Sequence, residues 1–333
     1  MDKLQTEIRL SYVKRTTVMF VLFLSSLVVR LSMRCYGDVG YYLGHISVPF
    51  FDLPVPCLIL YTLMYFLRDS LLSYKVCLSL FGSLVVIPIF LLMEKKFGVT
   101  SAVVASTLVC FSAYPVELAY FGGLKNIVGN FFAVMGIFFI YNVVKNHKRK
   151  DLMFYVICFI LTFFSHTLSV FMLGLFSVGA LFAYRFKFNK KEKVLIILTV
   201  AISLVTALIM TRLALHIPML HALRGYTKAR YLLQPSISID WLAALLNKLY
   251  VFPLIVVIIR PRGRFLSLIS CVGLAFIVLA TCYEFAAYRF YWMIYIPMSF
   301  VLGEQVTEKE GWFPIFCLFY LLTAGIGFIV QVI

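Results

Sequence analysis

"KVCLSLFGSLVVIPIFLLMEKKFG", residues 75–98, decides the fold. From 75 to 93 the run is apolar and near twenty residues long, the length a helix needs to cross about 30 Å of hydrocarbon. It stops at a basic break, "EKKFG" (94–98). A barrel strand would alternate apolar and polar residues over about ten positions, which this stretch does not do. The same pattern recurs along the chain. Apolar runs between charged breaks predict about eleven spans, near 17–33, 75–93, 99–114, 126–144, 152–165, 168–184, 194–213, 244–259, 265–282, 289–303 and 312–332. Residues 55–67 form a shorter run closed by Arg68 and Asp69, which predicts a helix lying in the membrane interface.

Of the 333 residues, 63% are hydrophobic and 13% charged, against about 45–50% and about 25% in soluble domains. No soluble fold of this length hides that much apolar surface. The expectation is an all-α polytopic membrane protein, a single integral membrane domain over 1–333 with no soluble domain. The basic opening "MDKLQTEIRLSYVKR" lacks a small-residue cleavage site, which predicts an uncleaved first helix. The eight cysteines are scattered, with no spacing suited to zinc. Cys35 and Cys57 fall on the same predicted side, where a disulfide between them is conceivable.

Sidedness comes from lysine and arginine. The breaks at 1–16, 94–98, 145–151, 184–193, 260–264 and 304–311 carry most of the 30 basic residues. This set is expected to face the cytoplasm. The N-terminus is then inside and, after an odd number of spans, the C-terminus outside, in a multi-pass cell-membrane protein. The outer segments are about 34–74, a turn near 115–125, a turn near 166, a basic loop of about 214–243, and 283–289. Positive-inside bias should deplete basic residues there, yet Arg224, Lys228, Arg230 and Arg289 all fall on that side. An anionic partner at the outer face would account for them.

Several strings in this order resemble the GT-C superfamily of polytopic glycosyltransferases. "YGDVGYYLGHI" (36–46) is an early acidic outer loop after the first span. "FFDLPVPCLILYTLMYFL" (50–67) is an amphipathic stretch with prolines. "LLMEKKFG" (91–98) is similar to the family's "RRLFG" turn, and "FSAYPVELAYFGG" (111–123) falls where a second acidic loop is common. "YEFAAYRFYWMIYIPMSFVLG" (283–303) looks like the family's Arg-Phe approach to a proline-bearing span. "AYFGGLKNIVGNFF" and "FFSHTLSVFML" are similar to archaeal members. The chain departs from the family in three ways: it is short, Val39 follows Asp38 where a paired acid is frequent, and no WWD-type string occurs. The resemblance implies a GT-C-like fold and transfer of a hexosyl or pentosyl group from a polyprenyl-phosphate-linked sugar. A glycan, lipid or protein would accept it at the outer membrane face, with inversion.

Such a transfer needs a base for the acceptor hydroxyl and cations, or a metal ion, for the departing phosphate. Asp38, between Gly37 and Gly40, is the candidate base; "YGDVG" is also good turn chemistry. Tyr41 and Tyr42 are candidates for stacking on sugar. His45 and Glu117 are candidates to assist or to hold a divalent cation, the one cofactor left open. Asp52, before Leu-Pro, suits a cap or turn. Arg289, Arg224, Lys228, Arg230, Lys125 and His166 are candidate contacts to donor phosphate, because arginine grips phosphate bidentately and lysine acts as a point charge. Blander readings stand beside these: Lys125 snorkelling, the 216–236 cations attracting lipid headgroups, and Arg289 pairing with Glu284.

Other classes lack their signatures. There is no Walker A, GxGxxG, HExxH or GxSxG string. The net charge of +16 follows from inner-loop bias and gives no reason to expect nucleic acid. A transporter or flippase would show inverted repeats and helices broken near midplane. A non-catalytic GT-C-like subunit would keep the topology without needing Asp38 or Arg289.

Overall fold

The computed structural model describes residues 2–34, 54–120, 123–216, 263–282, 287–307 and 312–333. The regular elements among them are α-helices: α1 (Asp2–Ser32), α2 (Pro54–Leu67), α3 (Ser70–Leu84), α4 (Val86–Phe97), α5 (Val99–Phe111), α6 (Ala113–Tyr120), α7 (Leu124–Asn146), α8 (Arg149–Phe163), α9 (Thr167–Ala183), α10 (Lys190–His216), α11 (Arg264–Cys282), α12 (Ala287–Thr307) and α13 (Trp312–Val332). Four stretches are long and apolar enough to cross a membrane: Val13–Ser32, Ser70–Phe97, Leu124–Asn146 and Pro314–Gln331. Together with shorter apolar helices such as Thr167–Ala183, they make the chain a membrane protein.

The stretch at 75–98 lies in the second of these. It begins earlier than the apolar pattern alone indicates, because Asp69 caps α3: its Oδ1 accepts from Leu72 N at 2.8 Å. The helix steps at Val85 and resumes as α4. Pro88 explains the step. It has no N–H to offer the carbonyl of residue 84, and its ring crowds that carbonyl. Gly98, at φ 94°, then turns the chain straight into α5, a backbone conformation that glycine adopts without strain.

Two boundaries differ from the sequence expectation. The run at 99–114 ends as helix at Phe111, and the supposed turn near 115–125 contains α6. Ser112 is extended at φ −73°, ψ 161°, so the chain breaks direction one residue before α6 begins. Residues 70–74, placed in the first outer loop, already belong to α3. The short run at 55–67 is helical as α2, and it packs on α3 with Leu60 buried. The predicted span at 244–259 lies outside the described residues.

Close helix approach depends on absent side chains. On α7, Gly129 and Gly136 lie two turns apart. A Cβ at Gly129 would stand 2.6 Å from His166 Cβ, and one at Gly136 would stand 2.7 Å from Leu173. That face receives α9. Gly303 of α12 does the same for α5, against Ala105 and the Ser101 carbonyl. The centre is otherwise aromatic and aliphatic, with Tyr74, Phe90, Tyr155, Phe176, Phe265 and Phe300 fully buried.

Candidate functional site

Two ends of the bundle are chemically different. At one, α4, α7 and α9 finish and α10 and α11 begin, and lysines gather. At the other, α1 finishes, α6 lies, and α7 and α9 begin. That second end holds a buried polar centre.

Its cation is Arg30, in the last turn of α1 and only 2% exposed. Its Nε donates to Ser26 Oγ, one turn back, at 3.2 Å, and Ser83 of α3 donates to the same oxygen at 3.1 Å. The guanidinium then spans two backbone segments. Nη1 donates to the Pro115 carbonyl at 3.0 Å and Nη2 to the Val109 carbonyl at 3.5 Å. Val109 lies in the last turn of α5, whose final carbonyls have no helical partner. A cation is also the favoured charge at a helix C-terminus. Arg30 therefore caps α5 and anchors α6 at once. Gly82 makes room, since a Cβ there would lie 3.0 Å from Nη1.

A second chain of hydrogen bonds crosses α9, α7 and α12. Ser169 Oγ donates to Asn130 Oδ1 at 2.8 Å, and Asn130 Nδ2 donates to Tyr295 Oη at 3.3 Å. His166 Nδ1 lies 3.1 Å from Ser169 Oγ. The serine has a single proton and gives it to Asn130. The contact therefore needs Nδ1–H to be the donor. Tyr295 also lies within electrostatic range of Arg30, so the two chains meet there. Buried polar groups at membrane depth are costly unless satisfied or facing a cavity, and here each finds named partners.

The sequence-predicted residues stand as follows. His166 is at the N-terminal boundary of α9 and buried. Lys125 is in the first turn of α7, partly buried. Glu117 is on α6, two residues past the carbonyl that Arg30 holds, and Arg289 is in the first turn of α12, six residues before Tyr295. The side chains of Glu117 and Arg289 are outside the description. α6 packs against both α7 and α12, so the helices carrying all four are neighbours at this end. Asp38, Tyr41, Tyr42, His45, Asp52, Arg224, Lys228 and Arg230, with Cys35 and Glu284, lie outside the described residues.

Sequence reasoning passed over Arg30, Asn130, Ser169 and Tyr295. A signal was present: Arg30 and Asn130 are polar groups inside predicted spans, which are expensive and therefore informative. Among the described residues, no three His, Cys, Asp or Glu side chains converge as metal ligands. Of the two residues put forward for a divalent cation, His45 falls outside the described residues and Glu117 enters only through its backbone. No protein-family model matches the chain, and no curated protein matches it.

Proposed function

We propose that the chain is a GT-C-like membrane glycosyltransferase. In this reading it crosses the membrane about eleven times, with its N-terminus cytoplasmic and its C-terminus outside. It moves a sugar from a polyprenyl-phosphate donor to an acceptor hydroxyl at the outer face. The observation that carries the reading is the polar centre around Arg30. It lies at the end of the bundle away from the lysines, and the helices bearing Glu117, Lys125, His166 and Arg289 surround it.

The chemistry divides as follows. Asp38, eight residues beyond Arg30 in sequence, takes the proton of the acceptor hydroxyl. The hydroxyl oxygen forms a bond to the anomeric carbon from the face opposite the phosphate. The bond from that carbon to the phosphate oxygen breaks, and the electron pair leaves with the phosphate. Arg289 and Lys125 neutralise the departing charge, with Arg224, Lys228 and Arg230 gathering the lipid phosphate. Arg30 is a positioning residue: it holds Pro115 and so sets the helix that carries Glu117. Glu117 and His45 assist the base or hold a divalent cation. Tyr41 and Tyr42 stack on sugar.

The test is transfer of radiolabelled sugar from a polyprenyl-phosphate donor by purified protein. Asp38→Asn should reduce turnover by about a hundredfold or more, the scale of one general base. Full activity in that variant would remove the catalytic assignment. No turnover with any donor, together with saturable flux of a lipid-linked substrate into liposomes, would favour a transporter.

A further inference from the structure

At the other end of the bundle, lysines from three separate segments converge. Lys95 and Lys96 close α4, Lys145 lies in the last turn of α7, and Lys187 lies between α9 and α10. Lys95 Nζ donates to Asn142 Oδ1. Both Lys95 and Lys96 stand over the Tyr141 ring, at 5.9 and 5.6 Å, and Lys96 lies 5.3 Å from the Phe265 ring centre. These contacts hold the ammonium groups close to one another despite their like charge. Lys96 faces Lys187 and Lys145, and Lys95 faces Lys145 and Lys148. The opposing carboxylates are fewer: Glu304 faces Lys96 and Asp151 faces Lys95. Glu192 is turned toward His147 at 3.2 Å and toward the Asn189 amide at 2.8 Å, and Glu94 pairs with Arg15 at 3.1 Å.

Beside this cluster is an open groove of about 560 Å³, lined by Lys145, Lys187, His147 and Asn189 together with Val144, Phe186 and Phe188. One wall is apolar and exposed. Phe186, which lines the groove, is 83% exposed, and the Arg185 guanidinium lies 4.5 Å from its ring centre. A soluble anion needs no such wall. A lipid does, because its phosphate is joined to glycerol and acyl chains that lie against apolar surface.

We propose that this groove is a binding site for the headgroup phosphate of an anionic phospholipid, held by Lys145 and Lys187 with Lys95 and Lys96 behind them, and with Phe186 against the glycerol and acyl region. The site is independent of sugar transfer and stands whether or not the chain is a glycosyltransferase.

The experiment is native mass spectrometry of the full chain, released from detergent after incubation with phosphatidylglycerol or phosphatidylcholine. The wild type should retain phosphatidylglycerol in preference to phosphatidylcholine. Each lysine near the surface should account for about a fivefold change in apparent affinity, so K145Q/K187Q should bind phosphatidylglycerol about twenty-five-fold more weakly. K145R/K187R should restore most of the binding, which separates charge loss from misfolding. K190Q/K191Q removes two charges from the adjacent first turn of α10, outside the groove lining, and should change little. Equal loss in K145Q/K187Q and K190Q/K191Q would overturn the proposal in favour of diffuse attraction. Displacement of the lipid by millimolar inorganic phosphate would overturn it in favour of a soluble anion.

Discussion

Gly129→Ala tests the packing that holds the polar centre together. The new methyl would meet His166 Cβ at 2.6 Å and Ser169 Oγ at 2.8 Å. Neither neighbour is the far end of a flexible chain, so α9 must retreat by roughly 1 Å to restore ordinary contact distances of about 3.5 Å. The retreat acts beside the next residue of α7, Asn130, which accepts from Ser169 at 2.8 Å. An added ångström takes that bond out of hydrogen-bonding range. Overpacking costs about 1–3 kcal/mol. A lost interhelical hydrogen bond adds about 0.6–1.7 kcal/mol, and the better helix propensity of alanine returns about 1 kcal/mol. The net loss is about 0.6–3.7 kcal/mol, centred near 2 kcal/mol, or roughly 4 °C in the midpoint of thermal unfolding in detergent. Gly174 supplies the control. It lies inside α9 with nothing within 4 Å of an added Cβ, so Gly174→Ala should be neutral or stabilise by up to about 1 kcal/mol. If the two variants shift the midpoint in the same direction by the same amount, the α7–α9 contact is not the tight one described.

Two further outcomes follow from the ends of the bundle. Arg30→Lys keeps the charge but replaces the planar fork with a point charge on one nitrogen, which does not reproduce the separate Nη1 and Nη2 contacts to the Pro115 and Val109 carbonyls. Amide hydrogen exchange should quicken by about tenfold across 113–120, the loss of one hydrogen bond of about 1 kcal/mol or slightly more, and stay unchanged in α8. Unchanged exchange in α6 would show that Arg30 does not anchor it. Glu192→Ala removes a reciprocal cap, in which Asn189 N donates to Glu192 at 2.8 Å and Glu192 N donates to Asn189 Oδ1 at 2.9 Å, and it also removes the partner of His147. It should cost about 1–2 kcal/mol in unfolding free energy, with loss of amide protection in the first turn of α10. Wild-type stability would refute that role.

Legibility followed the length of the signal. The helical class and most element positions came from apolar runs alone, as at 152–165 and 168–184, which fold as α8 and α9. The errors fell where a short polar device overrides the pattern. Asp69 starts α3 before the apolar run begins, and Ser112 splits a run that hydropathy joins to α6. The site was legible only in part. Loop charges draw the eye because they are conspicuous, whereas Arg30 is a single cation in an apolar run. Its partners are backbone carbonyls of α5 and α6, which no residue-type pattern can reveal. Asn130 likewise depends on Ser169 and Tyr295, far away in sequence.

The two polar regions also constrain each other through α7. Asn130 belongs to the Arg30 end and Asn142 to the lysine end. They are twelve residues apart on one helix, about 18 Å along its axis, whereas the hydrocarbon of a bilayer is about 30 Å thick. If α7 spans that thickness, at least one of the two lies below the headgroups, and a centred helix puts each about 6 Å inside. Polar side chains at that depth persist only when protein, not lipid, surrounds them. Asn130 meets this condition by full burial, behind glycines that let α9 close over it. Asn142 meets it by accepting from Lys95, whose ammonium stands over the Tyr141 ring. The glycine face of α7 and the aromatic bed beneath the lysines are thus two solutions to one requirement, and each lets a polar centre sit deeper than its charge would otherwise permit.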